Sequence, residues 1–111
     1  MPRPVYSRPF IREKGVRGDS ELVIVPAGYF YVVRAIAVYC SVGLVDNVAV
    51  LFKHASIDSV LWMEVWTPEA RKSAYLDCHF AFATTESFKF QVESGGARAD
   101  VFCGGYQLLA N

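Results

Sequence analysis

The stretch Ser94-Gly95-Gly96-Ala97-Arg98-Ala99-Asp100-Val101-Phe102-Cys103-Gly104-Gly105-Tyr106-Gln107-Leu108-Leu109 decides the fold. Ser94-Gly95-Gly96 reads as a tight connection and Ala97–Ala110 as a closing strand. Paired glycines inside a strand, here Gly104-Gly105, mark a bulge or bend more readily than a ligand loop. The stretch ends an unbroken series of short apolar runs with no helical segment between them, so the expectation is a small all-β scaffold.

Upstream, Phe88, Phe90 and Val92 alternate with Lys89, Gln91 and Glu93 in the cleanest period-two pattern of the chain. Thr84-Thr85-Glu86-Ser87 separates them from the run Ala74–Ala83, which follows a polar loop at Thr67–Ser73. Val60, Trp62, Glu64 and Trp66 share one strand face, with Leu61, Met63 and Val65 opposite. Ser56–Ser59 divides that strand from Val48–Lys53, and Gly43–Asn47 is a turn. In the long run Tyr29–Val42, strict alternation puts Phe30, Val32, Ile36, Val38 and Cys40 on one face, interrupted by Arg34. Tyr29, Tyr31, Val33, Ala35, Ala37 and Tyr39 fall on the other. Leu22–Val25 and the turn Pro26-Ala27-Gly28 precede it. About seven strands at this spacing predict an antiparallel β-sandwich or jelly-roll-like domain over residues 21–111.

Residues 1–20 differ in character. Pro2, Pro4, Pro9, Gly15 and Gly18 resist both helix and continuous strand pairing, which predicts an extended N-terminal arm. Arg3, Arg8, Arg12, Lys14 and Arg17 against Glu13 and Asp19 give this segment +3, while the remainder carries −3. The arm is either solvated or held by an acidic neighbouring surface, with Arg3, Arg8, Phe10, Arg12 and Arg17 as its contact residues. Five dispersed basic residues form no recognition motif, so no specific nucleic acid is expected. No charged leader precedes an apolar segment, and no run of about 18 apolar residues occurs, so neither a signal peptide nor a membrane span is expected.

The residues that could carry chemistry are sparse. His54 and His79 are the two histidines, and they do not supply the clustered ligands of a cupin-type site; no metal or cofactor is expected. Cys40, Cys78 and Cys103 lie in apolar runs and read as reduced core thiols, because an odd number cannot pair completely. Cys78 and His79 are adjacent in a strand and point to opposite faces, so they cannot act together. Glu64 and Asp77 sit among apolar neighbours, where either can neutralise an inward or interfacial Arg34. No nucleophile elbow or phosphate loop occurs, and no enzymatic activity is expected.

Aromatic residues make up 14% of the chain and apolar ones 53%, more than one narrow core requires. Tyr31, Tyr39, Trp62, Trp66 and Tyr75 are therefore candidates for a subunit interface or for stacking on sugar rings. Three segments carry a resemblance: Pro26–Tyr39, Leu61–Trp66, and Ala99-Asp100-Val101 leading through Gly104–Leu109. Together they resemble small virion proteins of tailed bacteriophages, often described as minor tail proteins. The resemblance implies a β-sandwich that assembles symmetrically in a particle, with no catalytic residues to carry over. The basic, proline-containing arm departs from it and suits a capsid-decoration or connector role. The expectation is a non-enzymatic virion protein, assembled in the host cytoplasm. Its partners would be copies of itself, in a trimer or larger ring, and other virion proteins. A carbohydrate-binding module is the alternative.

Overall fold

The computed structural model describes residues 6–40, 47–67, 73–93 and 98–109. Arg3, the expected turn over 43–46, the loop over 68–72 and the connection Ser94-Gly95-Gly96 lie outside them. The described residues contain no helix and form nine strands: β1 (Tyr6–Val16), β2 (Gly18–Asp19), β3 (Val23–Ile24), β4 (Tyr29–Cys40), β5 (Val48–His54), β6 (Ser59–Trp66), β7 (Ser73–Phe82), β8 (Ser87–Glu93) and β9 (Ala99–Leu109).

These build two antiparallel sheets, one in the order β1-β9-β4-β7 and the other β2-β8-β5-β6, with β3 also on β8. If β2 and β3 are taken as one interrupted strand, the partners are first with last, second with next-to-last, and inward to the β5–β6 hairpin. That is a long hairpin ribbon rolled over itself, the jelly-roll topology. The sandwich is elongated, 51 × 26 × 18 Å.

All seven expected runs are strands. The two further strands come from the segment expected to be an arm: from Tyr6 onward it belongs to the sandwich, β1 pairing with β9 and β2 with β8. The reason is visible in its side chains. Phe10, Ile11 and Val16 are buried in the core, while Arg8, Arg12 and Lys14 are exposed. Its prolines and glycines mark an edge strand with bulges, where such residues are tolerated. Register shifts fall at Pro9/Ile11 and Glu13/Val16. Gly15 adopts φ 65° at the second, and its N–H donates to Asp100 Oδ1 at 2.9 Å. Gly18, at φ 78°, lies just past the single residue that joins the two sheets.

A β-bulge also corrects the faces of β4. The register shifts between Val33 and Ala35, which face Gly105 and Gly104 of β9. Arg34 is the extra residue, so the alternation changes phase there. Tyr31 and Val33 before it, and Ile36, Val38 and Cys40 after it, all reach the core. Phe30, Ala35, Ala37 and Tyr39 take the outer side.

The core centres on Phe52, whose ring lies 5.1–6.1 Å from those of Phe80, Phe82, Phe88 and Phe90. Each buried ring contributes roughly 1.5–3 kcal/mol. His54 is buried beside Phe82 because β5 sends it inward with Val48, Val50 and Phe52.

Candidate functional site

The residues singled out from sequence separate into three locations. Trp66 is only 2% exposed and Tyr31 only 7%, so neither is a surface aromatic. Tyr31 stacks on Phe10, ring centroids 4.6 Å apart, which also takes Phe10 out of the set of arm contacts. Trp62 is half-buried and packs against the core from β6. Tyr39 and Tyr75 are 54% and 65% exposed. Arg8, Arg12 and Arg17 are exposed.

The first location is the flank formed by β6 and β7, the edge strands of the two sheets opposite β1 and β2. Side chains that turn inward here remain only half-buried: Leu61 and Trp62 from β6, Leu76, Cys78 and Phe80 from β7. On the outer side of β6, Val60, Met63 and Val65 are about half exposed (48%, 54% and 51%). Among the described residues nothing seals this flank, and apolar surface runs around its edge. Burial still pushes the Cys78 thiol up from its ordinary pKa.

The second location is the outer face of the sheet that contains β1. Arg12, Arg34 and Phe102 surround a groove of about 360 Å³ floored by Ala35, Gly104 and Gly105 and bordered by the Arg8-Pro9 backbone. The Arg12 guanidinium lies 5.6 Å from the centre of the Phe102 ring. Arg34 is exposed, and its Nε donates to the Cys78 carbonyl at 2.9 Å. It pairs with neither Glu64 nor Asp77, contrary to expectation, because the bulge aims it away from the core. The three ion pairs among the described residues are Lys53–Asp58, His54–Glu86 and Lys89–Asp19. Farther across the same face, Tyr39 and Tyr75 flank a depression of about 490 Å³ with Ala37 and Ser73. The Tyr75 hydroxyl donates to Asp77 Oδ1 at 2.9 Å, which raises the Tyr75 pKa.

The third location joins β5 to the turn before β8. His54 Nε2 lies 3.0 Å from Glu86 Oε2, and Ala83 N–H donates to Glu86 Oε1 at 2.6 Å. The Ala83 bond, then the His54 bond, hold the Glu86 carboxyl below its ordinary pKa. This is a latch that fastens a turn containing Thr85 at φ 72°. His79 sits apart from it on β7, exposed. Among the described residues, no three His, Cys, Asp or Glu side chains come together in a metal-binding group.

Sequence reading missed the role of Phe102 and the glycines as a groove wall and floor. The signal was present in Gly104-Gly105 itself, expected to mark a bulge in its own strand; the extra residues lie instead on the facing strands, Arg34 on β4 and Phe10 on β1. A scan against family models and a search of curated proteins find no match to the chain.

Proposed function

We propose that the chain is a non-enzymatic assembly subunit of a bacteriophage virion, a minor tail component or a capsid-decoration protein, and that it associates with copies of itself. The observation that carries self-association is the β6–β7 flank. Inward-facing apolar side chains that stay only partly buried along two free strand edges, with Val60, Met63 and Val65 about half exposed beside them, form a surface whose burial is favourable, at roughly 25 cal/mol per Å². A stable contact needs about 800 Å² on each partner. β6 and β7, of 8 and 10 residues, run roughly 26–33 Å along that flank at about 3.3 Å per residue. The virion assignment is supported by the resemblance of Pro26–Tyr39, Leu61–Trp66 and Ala99–Leu109 to small tail proteins, and by the jelly-roll topology, which recurs in viral capsid domains.

Light scattering across a concentration series tests the association. The wild type should be a trimer or larger ring, and Met63→Lys combined with Val65→Lys should yield a monomer with an unchanged circular dichroism spectrum. A wild type that stays monomeric at about 100 μM, well above the dissociation constant of a standard interface, would refute self-association. The virion role is tested separately by mass spectrometry of purified particles from an infected culture, in which the chain should appear at fixed stoichiometry to the major structural proteins.

A further inference from the structure

The outer face of the β1-β9-β4-β7 sheet is not used by the flank contact, and its shape is unusual for a strand surface. Strands normally present a ridge of side chains. Here the two central strands carry Gly104 and Ala35 opposite each other, and Ala37 follows on β4. The missing bulk leaves a trough. Three hollows share lining residues and so form one path: Arg12 and Phe102 belong to the first and second, Ala37 and Tyr39 to the second and third.

The trough is chemically polarised. Its β1 bank bears Arg12, with Arg34 rising from β4, and neither is in an ion pair among the described residues; the Arg8 guanidinium turns the other way, bonded to Gln107 Oε1 and lying over the Phe10 and Tyr31 rings. Guanidinium groups in this state match carboxylates in shape and charge. The far end carries the exposed rings of Tyr39 and Tyr75, diagonal neighbours because Tyr75 faces Ala37 and Tyr39 faces Ser73. Since the Tyr75 hydroxyl gives its proton to Asp77, its oxygen is left to accept one from a ligand hydroxyl.

We propose that this trough binds an acidic glycan, with a uronic- or sialic-acid carboxylate among the arginines and a neutral sugar ring on the tyrosines. A polymer charged at every unit, such as single-stranded nucleic acid, fits the arginine end but passes Asp100 in the middle hollow and meets the Asp77 carboxylate, opposite Ala35 and bonded to Tyr75, at the other. An oligosaccharide with an acidic group at one end and hydroxyls at the other complements both.

Titration calorimetry on the full chain tests this with four probes: tetragalacturonate, sialyllactose, neutral maltotetraose and a ten-residue oligothymidylate. At least one acidic sugar should bind, at least tenfold more tightly than maltotetraose, and increasingly weakly as sodium chloride is added. Arg12→Gln with Arg34→Gln should weaken it at least tenfold, and Tyr39→Ala with Tyr75→Ala at least fivefold, while Lys89→Gln on the opposite sheet leaves it unchanged. The monomeric Met63→Lys/Val65→Lys protein should bind equally well, which separates this site from self-association. Failure of both acidic sugars to bind, indifference to the groove substitutions, or tighter binding of oligothymidylate would each overturn the proposal. The salt titration needs no variant, so a folding defect in a mutant cannot obscure the answer.

Discussion

The two long flanks of this sandwich are built from similar strands yet finish differently. On the β1–β2 flank one residue, Arg17, carries the chain from sheet to sheet, and Ile11, Val16 and Val25 behind it are at most 2% exposed. On the β6–β7 flank the corresponding inward residues, Leu61, Trp62, Leu76 and Phe80, stay half-buried. The difference shows that inward orientation along a strand does not by itself complete burial; something must lie across the gap between the sheets. A one-residue crossover does so at the β1–β2 flank; at the β6–β7 flank, where the chain passes between the sheets over residues 67–72, a second copy does so in the assembly proposed above.

Removing the crossover is the most severe way to break this contrast. Deletion of Tyr6–Val16 takes away β1 together with Phe10, Ile11 and Val16, roughly 1.5–3 kcal/mol each. That loss is comparable to the whole stability of a domain of this size, about 5–15 kcal/mol. The truncated chain should therefore show no cooperative urea transition; a normal transition would mean that the flank is not sealed by β1. Next in size, Ile11→Ala should cost about 2–5 kcal/mol, the usual range for a buried aliphatic residue. Leu76→Ala, measured in the monomeric double-lysine background, should cost less, about 1–2 kcal/mol, because that side chain is only partly buried. Equal losses at the two positions would erase the distinction between flanks.

The latch at the end of the sandwich is independent of both flanks and sharpens the comparison by serving as a reference. Glu86→Ala strands the Ala83 N–H and His54 Nε2 and should cost about 1–2 kcal/mol by equilibrium denaturation. Its pH dependence is the smallest effect expected. The Glu86 pKa is lowered in the folded state, so its contribution is present above the ordinary glutamate value, about 4.3, and is lost as pH falls through the folded value. Melting temperatures between pH 3 and 6 should therefore fall more steeply for the wild type than for Glu86→Gln. Parallel curves would mean that the carboxylate does not stabilise the turn.

Much of the fold was legible because period-two patterns survive wherever a strand is regular, as at Phe88, Phe90 and Val92. Legibility failed where one residue interrupts the count. Arg34 reverses the phase of β4, so Tyr31 looked like an outward aromatic and Ile36 like a member of the opposite face. The N-terminal segment failed for a related reason: Pro9, Gly15 and Gly18 are strand breakers in a sheet interior but are compatible with a bulged edge. Which edge a strand occupies is a tertiary fact that no local pattern encodes. The aromatics divided for the same reason. Tyr39 and Trp66 both sit in alternating runs, yet the outer sheet face exposes one and the core encloses the other.

Gly105 carries a final implication. A Cβ built there would fall on the carbonyl oxygen of Val32, so the β4 backbone occupies the space that any other residue would need. A slip of two residues in either direction keeps every side chain on its proper face and is therefore the error hydrophobic patterning cannot reject. That slip would bring Cys103 or Gln107 against the same oxygen, and both have the atom that collides. The glycine thus works as an alignment key: among these slips, it lets β9 settle beside β4 in one position only.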